Sequence, residues 1–222
     1  MKIKLLFSFI CLGSIGSTYS MSETPNEMLM RGLEEGDMKI VEEAITNKAD
    51  VKGQIGATIL NWASDAAKNV SLVKLLLENG ANPNYYNSHN DTALMLVVRQ
   101  NFRPIPEVLL ENIDAFDPQM QEILLNDAVD HRLQIAELLL NHGADPDLQD
   151  ESGITALMWA VRKDSKPMVK LLLDHGADFD VKINKHGQTA LDIAKKEENK
   201  VIAELIENEY EKRRQQEKRL IK

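Results

Sequence analysis

The sequence predicts an all-α solenoid of about six helix-turn-helix units with protruding loops, and three observations carry that prediction. The first is a recurring Leu-Leu-Leu-x-x-Gly-Ala-Asn/Asp run: Leu75 to Asn82, Leu138 to Asp145 and Leu171 to Asp178. The second is a Thr-x-Leu signature at Thr92-Ala93-Leu94, Thr155-Ala156-Leu157 and Thr189-Ala190-Leu191, with Thr58-Ile59-Leu60 as a variant. The turn glycines lie 63 and 33 residues apart and the threonines 34, 63 and 34, so both signals hold one period of about 33 residues. The third is an aromatic content of only 5%, which suits helices packed through small residues better than a β-sandwich.

Each element of a unit has a local cause. Thr155 accepts a backbone N–H and starts a first helix, Leu157 to about Lys163, in which Ala160 lets a neighbouring helix approach. Pro167 is tolerated in the first turn of the second helix. Met168, Val169, Leu171 and Leu172 give that helix an apolar face. Gly176 ends it in the left-handed C′ conformation. Neither helix pair is long enough to bury its own stripe, so neighbours must stack.

These residues carry a family resemblance. The pattern Gly153-x-Thr155-Ala156-Leu157-Met158-x-Ala160, followed by Val169-Lys170-Leu171-Leu172-Leu173-x-x-Gly176-Ala177-Asp178, resembles the ankyrin repeat, with Ala156 where the family has Pro and Met158 where it has His. The units read as about 25–52, 53–84, 85–117, 118–147, 148–180 and 181–210, so that 21–210 is an ankyrin-repeat domain. The first is degenerate, with Lys48 replacing the turn glycine. The third has Ile113 at that place. The fourth lacks Thr-x-Leu and is one residue short. The sixth runs on as helix into a charged tail, 211–222. The fourth unit and the segment 25–52 are expected to exchange amide hydrogens fastest.

Residues 1–20 have the layout of a cleaved secretory signal. Lys2 and Lys4 precede an apolar run of about 12 residues, too short to span a membrane, and Ser17 to Ser20 supply a small-residue cut site. Cleavage after Ser20 or nearer Gly16 fits. The expected location is therefore periplasmic or secreted. Cys11, the single cysteine, leaves with the signal, which excludes thiol chemistry and disulfides from the mature chain.

Charge narrows the partners. The full chain carries a formal charge of -9, and the mature chain would carry 24 basic against 35 acidic residues. Such a chain repels phosphates, which excludes nucleic acid as a partner. Membrane contact is expected only through the basic tail, where Lys212, Arg213, Arg214, Lys218, Arg219 and Lys222 cluster. That tail is otherwise a solvated helical extension. Without 207–222 the mature body holds 18 basic and 31 acidic residues.

No nucleophile motif, phosphate loop or metal-ligand spacing is present, so the reading is non-catalytic, with no metal and no cofactor. His142 and His175 repeat with the unit and read as turn residues. Trp62 and Trp159 also occupy equivalent places, and either inter-unit packing or partial exposure as binding anchors fits them. The resemblance implies a protein partner held in a concave groove. It places the contacts on loop tips, Gln54, Ile55, Ser88, His89, Asp91, Glu151, Ser152, Ile154, Lys185, His186 and Gln188, and on helix positions including Asp65, Arg99, Gln100, Asp130, Arg162, Lys163, Lys196 and Glu197. Arg99, Arg162, Lys163, Lys185 and Lys196 make part of this face basic. The expected function is thus an exported, monomeric protein-binding module, with an inhibitor or immunity-type protein as its specific form. A secreted effector, or a scaffold for an envelope enzyme, is the alternative.

Overall fold

Thr24 starts the first helix by a reciprocal cap: the Glu27 N–H donates to its hydroxyl at 3.3 Å, and the Glu27 carboxylate accepts the Thr24 N–H at 2.8 Å. The structure, a computed structural model, describes residues 23–66, 69–99, 131–183 and 187–220. The chain divides into two compact units, Met1–Val51 and Lys52–Lys222. The segment 1–20, with its cut site, lies outside the described residues.

In the first unit, α1 (Pro25–Glu35) and α2 (Met38–Thr46) form an antiparallel pair. Leu29, Val41 and Ala44 are fully buried between them. Gly32 makes the close approach possible, since a Cβ there would sit 2.9 Å from the Val41 backbone nitrogen.

The second unit holds α3 (Gln54–Ala66), α4 (Val70–Glu78), α5 (Ala93–Arg99), α6 (His131–Asn141), α7 (Ala156–Arg162), α8 (Lys166–Asp174), α9 (Ala190–Lys196) and α10 (Lys200–Leu220). All described secondary structure is helical. First helices pack in a row α3, α5, α7, α9, and second helices in a row α4, α6, α8, α10, with each first helix also against its own second helix. Leu60, Leu72, Leu76, Met95, Ile135, Leu139, Leu157, Met158, Met168 and Leu172 fill the space between the rows. This is the repeat solenoid that the periodicity predicts.

Backbone bonds knit one layer to the next. The Asn84 side chain accepts the Asp145 N–H at 2.7 Å and donates to the Gly143 carbonyl at 2.9 Å. One layer on, Asp147 accepts the Asp178 N–H at 2.7 Å. The turn after α4 therefore lies directly on the turn after α6, and that on the turn after α8.

Within the stretch 85–147, the described helices α5 and α6 pack against each other and α5 packs on α7; Ile113 and the start of the fourth unit lie outside the described residues. Thr58 departs from the other Thr-x-Leu positions. It lies inside α3 rather than at a cap, its hydroxyl donating to the Gln54 carbonyl at 2.8 Å. Gln54 and Ile55 are thus in the first turn of a helix, not at a loop tip. The loops at 87–91 and 150–154 are each closed by an Asn or Asp five residues before the capping Thr, and the corresponding residue here, Gly53, has no side chain to do it.

The last helix is long because nothing stops it. No Gly-Ala-Asp turn follows α10, which runs for 21 residues. Its later turns are held down by Arg213, whose guanidinium donates to the carbonyls of Leu173 at 2.9 Å and Ala177 at 3.1 Å. The same group lies 5.0 Å over the Phe179 ring, and Phe179 in turn meets Tyr210 at 5.6 Å.

Candidate functional site

Two hairpin-like loops and the first helices that follow them build the site. In the loop before α5, the Asn87 carboxamide oxygen accepts the N–H groups of His89 at 2.8 Å and Asp91 at 2.9 Å, while Asn90 takes a positive φ of 53°. In the loop before α7, Asp150 does the same for Ser152 at 2.8 Å and Ile154 at 3.0 Å, with Gly153 at φ 77°. These Asx turns fix the tips rigidly. Thr155 then caps α7 through the Met158 N–H at 3.3 Å.

Arg99, Arg162 and Lys196 are each the last residue of a seven-residue first helix, so stacking aligns three cations at one register. The Arg99 guanidinium reaches back to Asp91 at 3.0 Å. It also lies 5.8 Å from the centre of the Trp159 ring, and the Arg162 guanidinium lies 5.5 Å from it. The Trp159 indole N–H donates to Asp150 at 3.0 Å, which fixes the ring. The result is an indole with a guanidinium from each of two adjacent layers. Each such contact contributes about 0.5–1 kcal/mol at a part-exposed site. Among the described residues, Arg99 is neutralised by a carboxylate and Arg162 is not.

The structure sorts the residues expected to face a partner. Ser88, His89, Glu151, Ser152, Arg162 and Lys196 are exposed, and Ile55, Arg99 and Lys163 are partly so. Asp91 and Ile154 are not available: Asp91 is 2% exposed and committed to Arg99, and Ile154 is 5% exposed in the core. Both immediately precede a capping Thr, where the chain turns inward. Gln100, Asp130, Lys185 and His186 lie outside the described residues. Trp62 is 42% exposed on α3, whereas Trp159 is half-buried with its polar atom bonded. The two tryptophans therefore take different environments at one repeat position. The indole–guanidinium stack was not read from the sequence, although its signal is present: Arg99 and Arg162 share a register, with Trp159 one helical turn before the second.

Among the described residues no group of three or more His, Cys, Asp or Glu side chains could hold a metal ion. His142 and His175 fold back onto the Leu138 and Leu171 carbonyls at 2.8 and 2.9 Å. No described helix is long and apolar enough to cross a membrane.

A family profile described as "Ankyrin repeats (3 copies)" matches residues 29–122 and 125–216. A search of curated proteins returns no match.

Proposed function

The chain belongs to the ankyrin-repeat family, whose members are protein–protein interaction modules, and from that premise we propose that it is an exported, non-catalytic binding module. Its partner is a protein, met by the face that carries loops 87–91 and 150–154, α5, α7 and α9. One observation carries this reading: among the described residues, the Arg99–Trp159–Arg162 cluster leaves the Arg162 guanidinium without a carboxylate ion pair, on a chain whose formal charge is -9. Trp and Arg are the side chains that most often anchor interfaces. The basic n-region and short apolar run of residues 1–20 support passage through a secretory pathway, with the periplasm as the working location. An inhibitor or immunity-type protein is the specific form that fits, because masking an exported enzyme needs surface complementarity and no chemistry. The chain acts as a monomer in this reading.

The test is expression with the native first 20 residues, followed by fractionation and N-terminal sequencing. The reading expects a chain beginning near Met21 in the periplasmic fraction, with one protein in stoichiometric amount bound to it. Uncleaved protein in the cytosol contradicts it. Recovery from the medium favours the effector or scaffold role instead.

A further inference from the structure

We propose that Arg162, stacked on Trp159, is the anchor for a carboxylate side chain of an acidic protein segment. The inference rests on the interaction-module reading and deepens it by naming the chemistry that the site takes. Three features of the stack point the same way. Arg99 and Arg162 lie 5.8 and 5.5 Å from the centre of one indole, so both guanidiniums are held beside the same ring. Asp91 is nearly fully buried and pairs with Arg99, whereas among the described residues no carboxylate forms an ion pair with Arg162. Asp150 holds the indole N–H at 3.0 Å, which keeps the platform from turning away when the cation is engaged.

A guanidinium beside an aromatic ring still has N–H groups to offer a planar, two-oxygen acceptor. Carboxylate and phosphate both offer one. The interaction-module reading decides between them, because a protein partner supplies carboxylates through its Asp and Glu side chains. An acidic segment lying along α7 thus meets a cation framed by an aromatic ring.

The native tryptophans make the test direct. Trp62→Phe leaves Trp159 as the single indole of the chain. A hexaglutamate peptide titrated at low ionic strength should change its emission saturably. Arg162→Gln should weaken that binding at least tenfold, with an unchanged circular-dichroism melt, because Arg162 is exposed. Arg162→Lys should fall between. Asp91→Asn, which frees Arg99, should tighten binding, an effect that loss of structure alone does not give. An Arg162→Gln titration that overlays its parent overturns the proposal, as does tighter binding of hexathymidylate than of hexaglutamate, which would assign the site to phosphate. If hexaglutamate fails to bind but capture of a native partner still depends on Arg162, the carboxylate assignment falls and the interaction-module reading stands.

Discussion

Arg99 and Arg162 occupy the same place in their helices and touch the same ring, yet their neighbours give them different work. Asp91 is buried, so removing Arg99 leaves a carboxylate without its counter-charge. Arg99→Ala is expected to destabilise the chain by about 2 kcal/mol, less than for a fully buried pair because the guanidinium is part-exposed. Arg162→Ala should cost no more than about 0.5 kcal/mol. Comparison of the two denaturant midpoints checks this. A second contrast lies between Asn84 and Asp147, which hold equivalent turns. Burial pushes the Asp147 carboxyl above the ordinary carboxylate range, the Asp178 N–H offsets part of that, and the charges of Asp145 and Asp178 add to it. A carboxyl with a raised folded pKa binds its proton more tightly when folded. Stability therefore falls as pH rises from the ordinary carboxylate pKa through the raised one, and the penalty persists at neutral pH. Asp147→Asn should remove that fall and raise Tm at pH 7, because Asn84 shows that an amide makes the same turn contact and donates one bond more. Melting the two proteins across pH 3–7 checks it. Asp150 and Asn87, which set the loop tips, were legible only as generic turn residues, since their roles depend on which amides the fold brings to them.

At the scale of the element, the caps and periods were the most legible part of the chain. Thr155 and Thr189 cap α7 and α9 as expected, and Thr189 also exchanges bonds with Asp192, whose carboxyl is held below its ordinary range by the Thr189 N–H and hydroxyl. Thr58 misled because a threonine reads alike in sequence whether it caps a helix or bonds back within one. Periodicity counts residues and not contacts: Gly80 and Gly143 are 63 residues apart, yet Asn84 donates to the Gly143 carbonyl. Helix ends give two predictions. Lys48 takes φ 69°, at the position where Gly80, Gly143 and Gly176 take 84° to 88°. A side chain in that region costs about 1–2 kcal/mol, part of which glycine returns through the unfolded chain. Lys48→Gly should stabilise α2 by about 0.5–1 kcal/mol, read as slower amide exchange at Ala44 to Asn47. Arg213→Ala removes two bonds from a charged donor to carbonyls and should cost about 1–2 kcal/mol, with faster exchange confined to the later turns of α10. Uniform acceleration along α10 would show that the helix is not held where Arg213 binds.

For the whole molecule, composition and charge did what such quantities do: they excluded classes of partner without selecting one. The family and its helical rows were readable because each repeat restates the same caps and the same turn. The binding face was only partly readable. Exposed loop tips such as Ser88, His89 and Glu151 follow from position within a repeat, whereas the meeting of Arg99 with Trp159 arises between layers, from residues 60 positions apart in sequence. The export reading rests on residues 1–20 alone. The account therefore stands on one face of the second unit and on what it holds. The most direct measurement is the affinity of a protein captured by the native chain for that chain and for Arg162→Glu/Lys163→Glu. The account predicts a loss of at least tenfold with the thermal melt preserved. Equal affinity would contradict it and move the contact to another surface of the chain.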